Sequence, residues 1–429
     1  MEPITVAIVG AGSRGSAYAR LAVAGSTRAK VVAIAEPREE YRRRLAEEVG
    51  VDASRQFTDW REMAAPPRFA DAVVIATLDR EHAEPALAFA DLGYHILLEK
   101  PMATTEAECL QIVRAAKRNG VLLAVCHVLR YTHYTRALKA LLESGQCGDI
   151  ASMRRLEPVG WWHQAHSFVR GNWRREAESS PMLLAKACHD LDWIRHIMGR
   201  RCTRVSSFGS LMHFRVEDKP AAAGDRCVAC AVEESCPYSA ARFYGRLLEA
   251  GQEGWPLDVL TPFPNRESIQ QALLTGPYGR CVFGSDNDVV DQQVVNMEFE
   301  GGGTAAFTMT AFTRPRERVD EVFCTNAEIK GDGRYLKIFD FLSETTRTVD
   351  TLADARVGGG HTAAEGHGGG DEGVVGAFIQ AIARDDPSLI SDPEEALESH
   401  RMVFAAERSR RSGRTVSLRA KDGSRLADA

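Results

Sequence analysis

Three stretches of this sequence hold residues whose types and spacing can do chemistry. The first is Gly10-Ala11-Gly12-Ser13-Arg14-Gly15, set between the apolar run Ile4–Val9 and a helical stretch from Ser16 to Ala24. Glycines in that strand–turn–helix setting allow a tight turn and let backbone amides approach a pyrophosphate at a helix N-terminus. A second apolar run, Lys30–Ala35, ends at Glu36, about 20 residues past the last glycine. A carboxylate there accepts hydrogen bonds from a ribose diol and repels a 2′-phosphate, which favours NAD over NADP; Arg38 can blunt that preference. The second stretch is a helix from Ser180 to Gly199, with Ser180 as its cap and Pro181 in its first turn. Leu184, Ala187, Leu191, Ile194 and Met198 form its apolar stripe, and Lys186, His189, Asp190 and Trp193 recur on another side. That polar stripe is either the wall of a cleft or a solvated face. The third stretch, Trp161 to Trp173, crowds His163, His166, Arg170 and Asn172 with tryptophans into one loop. Aromatic faces stack on sugar rings, and Arg with His binds hydroxyls or an anion; the alternative is a packed loop with solvated tips.

The elements that must position these groups alternate. Ala70–Thr77 is a buried strand, Glu84–Leu92 a helix, and His95–Leu98 a strand ending in Glu99-Lys100-Pro101. Thr104–Asn119 is a helix closed by Gly120, and Val121–Cys126 is a strand. Repeated βα units imply a doubly wound parallel sheet of the Rossmann type, with ligands beyond the strand C-terminal ends. Thr77, Lys100 and His127 all fall at such ends.

GAGSRG, the strand ending in Glu36, and TLDREHAEPALAFADLGYHILLEKPMA together resemble the glucose–fructose oxidoreductase / inositol dehydrogenase (Gfo/Idh/MocA) family; EKP at Glu99–Pro101, with His82 upstream, is the most specific mark. The resemblance implies an NAD-binding Rossmann domain over residues 1–126. It also implies an α/β domain over 127–429 with a large, open, mostly antiparallel sheet that binds substrate and supports a homo-oligomer, a dimer or tetramer. It places Lys100 between nicotinamide and substrate, with Glu99, Thr77 and His82 around the cofactor. In the family, the helix that corresponds to Ser180–Gly199 carries a histidine flanked by an Asp four residues before and another three after. His189 and Asp192 match; Ala185 departs, with Lys186 beside it. Lys100, His189 and Lys186 are therefore the expected catalytic groups. His189 serves as base for a hydroxyl proton and Lys100 holds the oxygen, or the reverse.

Other features of the second domain follow in order. Tyr131–Leu142 reads as a helix and Ile150–Val159 as a strand, while Gln293–Phe299 and Thr304–Phe312 pair through glycines 301–303. An insertion at about 218–240 holds Cys227, Cys230 and Cys236. With Cys281 as a fourth ligand these thiols can hold a structural zinc; otherwise they are free. Asp286, Asn287, Asp288 and Asp291 form either a solvated turn or a sugar-hydroxyl site. Val357–Gly373 is low in complexity, with His367 and Asp371 its candidates for reaching substrate, and helices at 373–384 and 393–412 end the chain. A branch of the family shares the PMLLAKxCHDLD, CxxC and DNDVVDxQVVNMEF stretches. His127, His166, Arg170, Trp173, Asp192, Asp288 and His367 are the expected substrate contacts.

Composition narrows the function classes. A net charge of -6 gives no basic footprint for nucleic acid. No apolar run reaches the roughly 18 residues of a membrane span, and MEPITVAIVG enters a strand at once, which points to the cytoplasm. Ten cysteines in such a chain indicate thiols or metal rather than a disulfide framework. The expected activity is NAD-dependent oxidation or reduction at a secondary hydroxyl of a sugar, cyclitol or glycoside. The alternative is an NAD-dependent glycoside hydrolase that oxidises transiently, eliminates, adds water and re-reduces. A non-catalytic sugar or NAD sensor is the third reading.

Overall fold

The computed structural model describes residues 2–24, 28–65, 67–353 and 368–418. The first sheet is six parallel strands, β1 (Ile4–Val9), β2 (Ala29–Ala35), β3 (Gln56–Phe57), β4 (Ala72–Ile75), β5 (His95–Leu98) and β6 (Leu123–Val125), in the order β3-β2-β1-β4-β5-β6. Strand order reverses between β1 and β4, which opens a crevice beyond their C-terminal ends. Both faces of the sheet are covered, so Val6–Val9 and Ala72–Ile75 are buried without alternation. Val6 and Ile8 pack with Tyr18 on one side, and Ala7 and Val9 with Phe89 and Ile112 on the other.

The second sheet contains β7 (Ile150–Pro158), β8 (Cys202–Ser210), β9 (Gln292–Phe299), β10 (Thr304–Thr310), β11 (Val319–Cys324), β12 (Ala327–Gly331), β13 (Tyr335–Asp340), β14 (Thr345–Asp350) and β15 (Val416–Ser417). Its order is β14-β13-β12-β11-β7-β10-β9-β8-β15, antiparallel throughout except between β10 and β7. This is the large, mostly antiparallel sheet that the sequence leads one to expect. Its strands alternate: Val295, Met297, Phe299, Ala305, Phe307 and Met309 join one core with helix Met182–Met198. The chain then returns to the first sheet. Val374 and Phe378 of helix Gly370–Arg384 pack with Tyr18, and helix Pro393–Ser412 bridges both cores through Leu397 and Val403.

The cysteine-rich stretch opens a longer excursion between β8 and β9. Helices Ala240–Glu249, Leu257–Leu260 and Arg266–Thr275 enclose a core of their own around Tyr244, Leu257 and Leu273. This excursion is fastened to the first domain: Tyr41 Oη donates to the Asp258 carbonyl at 2.9 Å and Arg44 Nη1 to the Pro262 carbonyl at 2.7 Å.

Two local expectations are corrected. Trp161–Trp173 is mostly helical rather than a loop: an α-turn at Trp161–His163 runs into π-helical turns over Gln164–Arg170, every one of whose residues is buried. Helix Met182–Met198 begins after Pro181, and Ser180 does not cap it; its hydroxyl donates to Asp79 at 3.0 Å instead. The far end behaves as expected, with Gly199 left-handed at φ 63°. Among the described residues no helix is long and apolar enough to cross a membrane.

Candidate active site

The glycine-rich turn fits a dinucleotide. Gly10 has φ +92°, and a Cβ there would lie 2.6 Å from the Ala76 carbonyl oxygen; one at Gly15 would lie 1.8 Å from that of Gly10. These two glycines thus serve the turn and the helix–strand approach. Gly12 instead borders the crevice, where a Cβ would meet only the Arg38 guanidinium, at 3.6 Å. Helix Ser13–Val23 starts without an acidic residue in its first turn and without a side-chain cap, so its leading amides suit an anion. Glu36 ends β2 with its carboxylate buried, accepting from Ala11 N at 2.8 Å and from Arg38 Nε at 2.7 Å. Burial alone would raise its pKa, but Arg38 and the backbone donors hold it below the ordinary range. Arg38 and Glu36 thereby offset each other's charge, and the Glu36 carboxylate stays ionised at the end of β2.

Arg14 and Glu99, expected around the cofactor, are bound to each other. Arg14 Nε donates to Glu99 at 2.7 Å, and its Nη1 and Nη2 meet Asp371 at 3.0 and 2.6 Å. Glu99 also accepts from Tyr18 Oη at 2.7 Å and from Lys100 N at 2.6 Å, so it anchors the turn that carries Lys100. His82 lies between the Pro101 carbonyl at 2.7 Å and the Thr77 carbonyl at 3.2 Å and ties together the ends of β4 and β5. Thr77 Oγ1 donates to the Glu81 carbonyl at 3.0 Å.

Lys100 crosses the crevice. Its Nζ donates at 2.6 Å to the carbonyl of Ala185, the position where an Asp was expected, in the first turn of the helix that carries Lys186 and His189. Lys186 Nζ lies 3.4 Å from Glu157 of β7, whose other oxygen meets Arg318 at 2.7 Å. Burial depresses the Lys186 pKa; Glu157 opposes the shift, while Arg318 and Lys100 add to it. His163 faces the same cations: burial, then Lys186, His166 and Lys100, hold it far below the usual imidazole range and hence neutral. Of the two histidines in Trp161–Trp173, His163 and not the expected contact His166 feels Lys186 and Lys100.

His189 is buried, with its ring centroid 6.4 Å from that of His127. His127 and Asp192 do not open onto the cleft. Asp192, 1% exposed, accepts from Arg130 Nε and Nη2 at 2.7 Å each and from Ser399 at 2.8 Å, and lies 2.8 Å from His127 Nδ1. Asp192 is the buried counter-charge that Arg130 requires, and His127 links it to the His189 ring. The other half of the polar stripe is likewise internal. Asp190 pairs with Arg155 and Arg318, and Trp193 lies under Arg155 at 3.9 Å.

The remaining expected contacts scatter. His166 Nδ1 meets Tyr244 Oη at 2.6 Å, and Arg170 binds the carbonyls of Arg280 and Tyr238 at 2.7 and 2.8 Å, both within the excursion. Trp173 Nε1 donates to Asp79 at 3.0 Å, clasping the two domains. Asp288 is exposed and accepts from Glu176 N at 2.7 Å. His367 lies outside the described residues. Zinc is not supported. Among the described residues no group of three or more His, Cys, Asp or Glu side chains is placed to hold a metal ion. Cys227, Cys230, Cys236 and Cys281 do line one small cavity, but Cys227 receives Arg170 Nη2 at 3.4 Å and Cys230 receives Gly224 N at 3.3 Å. All ten cysteines are free thiols.

Two supporting residues escaped the sequence reading. Asp79 accepts from Trp173, Ser179 and Ser180 across the domain boundary. His400 Nε2 accepts from Met102 N at 2.8 Å and so holds the turn after Lys100 from the C-terminal helix. Neither has a local sequence signal, because the partners are distant in the chain.

A doubly wound Rossmann sheet joined to a second, mostly antiparallel sheet, with Lys100 reaching from the end of β5 to the first turn of helix Met182–Met198, is the architecture of a nicotinamide-dependent oxidoreductase. Residues 4–127 match the oxidoreductase family NAD-binding Rossmann fold, and residues 139–418 match the oxidoreductase family C-terminal alpha/beta domain. The chain belongs to the Gfo/Idh/MocA family. It is similar to 2,7-anhydro-N-acetylneuraminate hydratase of Mediterraneibacter gnavus, at 28% identity over 49% of this chain and 53% of that one. It is also similar to inositol 2-dehydrogenase of Streptomyces avermitilis, at 32% over 47% and 55%, and to levoglucosan dehydrogenase of Pseudarthrobacter phenanthrenivorans, at 27% over 52% and 57%. The chain thus spans about half the length of the curated relatives it matches. Levoglucosan dehydrogenase in complex with NADH and L-sorbose shares the fold with a TM-score of 0.70, at 21% identity, over 97% of this chain and 99% of that one.

Proposed function

We propose that this protein is an NAD-dependent oxidoreductase acting on a secondary hydroxyl of a sugar, cyclitol or glycoside. The observation that carries the reading is Lys100, held at the end of β5 by Glu99 and directed at the helix of Lys186 and His189. When bound, NAD supplies a hydride acceptor at the nicotinamide. Glu36 orients the ribose and the amides of Gly12–Arg14 face the pyrophosphate. Lys100 holds the substrate oxygen as negative charge develops, and His189 takes the hydroxyl proton. Names of relatives support this class, since two are sugar or cyclitol dehydrogenases.

The second reading is an NAD-dependent glycoside hydrolase that oxidises transiently, eliminates, adds water and re-reduces, with no net redox change. Ala185 in place of a carboxylate favours it, because the cleft then presents Lys100, Lys186 and neutral His163 as separate acid/base groups. A relative named as a hydratase adds weight. A panel of sugars and aryl glycosides, read for both NADH and released aglycone, separates the two. Net NADH supports the dehydrogenase, and aglycone without net NADH the hydrolase; no turnover on any member would leave the sensor reading. His189→Ala should lower kcat by about 10²–10⁴ while NAD affinity stays within about twofold. Equal turnover in that variant would remove His189 from the mechanism. We further propose a cytoplasmic homo-oligomer formed through the open sheet face, testable by light scattering.

A further inference from the structure

A cavity of about 260 Å³ lies between the helical turns Trp161–Arg170 and the excursion that separates β8 from β9. Trp161, Trp162 and Phe243 form its aromatic wall, Arg170, Arg242 and Arg246 supply cations, and no Asp or Glu lines it. Arg170 is 3% exposed and has only carbonyls and the Cys227 sulfur as partners, with no carboxylate partner among the described residues. A guanidinium taken out of water without an anion is unfavourable, so the site attracts negative charge. Arg242 donates to the carbonyls of Glu234, at 2.7 Å, and Cys236, and neither removes its charge. Arg246 is exposed and makes no ion pair among the described residues. His166 adds no charge: burial lowers its pKa to about 3, and Tyr244 holds its Nδ1.

The aromatic wall is rigid. Trp162 stacks on Phe243 with centroids 4.7 Å apart, and Trp161 Nε1 donates to the Pro237 carbonyl at 3.2 Å. His163, stacked on Trp162 with centroids 5.6 Å apart, lies in the field of Lys186 and Lys100. We propose that the cavity binds an anionic sugar ring, its carboxylate on the arginines and its apolar face on the Trp161 indole, with Trp162 held behind by Phe243 and His163. It is a recognition site that neither Lys100 nor Lys186 lines. The proposal rests on the sugar-oxidoreductase reading, and its test measures binding without NAD or turnover, so either can fail alone.

The experiment is a tryptophan-fluorescence titration of the full chain with glucuronate, glucose and sulfate. Saturable quenching by glucuronate is expected, at least about tenfold tighter than by glucose or sulfate. Arg246→Gln, alone and with Arg242→Gln, should weaken it by about tenfold or more, and both sites are exposed enough to leave the fold intact by circular dichroism. Lys100→Met should leave it unchanged. Equal binding of glucose, equal binding of sulfate, or arginine variants with unaltered affinity would each overturn the site. Loss of binding in Lys100→Met would do the same, because the acid would then sit in the redox centre.

Discussion

Replacing Asp192 with asparagine separates a supporting role for this residue from a substrate-binding one. Burial by itself would favour the neutral acid, but Arg130 and His127 outweigh it and hold the Asp192 pKa well below the usual range. Asparagine keeps the shape and removes the charge, leaving buried Arg130 with Glu395 at 2.7 Å as its one acidic partner among the described residues. Breaking a buried ion pair from one side costs about 3–5 kcal/mol, and the retained Glu395 places this case near the lower end. For 429 residues, roughly 2.1 cal/mol/K per residue gives an unfolding entropy of roughly 0.9 kcal/mol/K. The melting temperature should therefore fall by about 3–5 °C. Calorimetry alongside steady-state kinetics is the assay. We expect that drop with KM for the sugar within about twofold of the parent, and a lower kcat through the displaced His127–His189 pair. An unchanged melting temperature with KM raised about tenfold or more would refute the argument and put Asp192 on the substrate.

Lys186 loses its proton below the ordinary lysine range, so on the hydrolase reading, where it is an acid/base group, kcat/KM should rise on the alkaline side as the neutral amine accumulates. Glu157→Gln removes the anion that opposes the shift and should move this rise to lower pH; a rise that does not move excludes Lys186 as its source. Glu36→Gln keeps an acceptor for Ala11 N but releases Arg38, and should shift the NAD-to-NADP preference by about one to two orders of magnitude toward NADP, measured as a ratio of kcat/KM. His400 is fully buried with its pKa lowered by burial, and by His127, to about 3, against 6.5 for an ordinary imidazole. The unfolded chain thus binds a proton that the folded one refuses, so stability should fall as pH drops from about 6.5 toward 3. Denaturant midpoints across that window should show the loss, with a shallower slope in His400→Gln; a midpoint that rises on acidification would contradict it.

What the sequence made legible follows from where contrast survives. The strands β1, β2 and β5 read directly because helices bury both faces, leaving nearly unbroken apolar runs. Two-residue β3 and exposed β14 carry no such run, and both lie at a sheet edge. Helix Met182–Met198 shows the opposite failure. Its Lys186–Trp193 stripe looks like a cleft wall, yet Asp190 and Trp193 are internal, satisfied by Arg155 of β7 and by Arg318, which precedes β11, both distant in the chain. Polar residues that face a core helix and polar residues that face a ligand look alike until the partner is known. The same blindness hid His400 and Asp79, each defined by a partner in the other domain. Ala185 is the exception, since the residue missing there was visible from the resemblance alone. The structure gives that absence a consequence: the carbonyl of Ala185, not a carboxylate, receives Lys100, and Glu157 pairs with Lys186. A lysine held by a neutral carbonyl keeps its charge for the substrate oxygen, whereas one paired with an Asp would spend it within the protein.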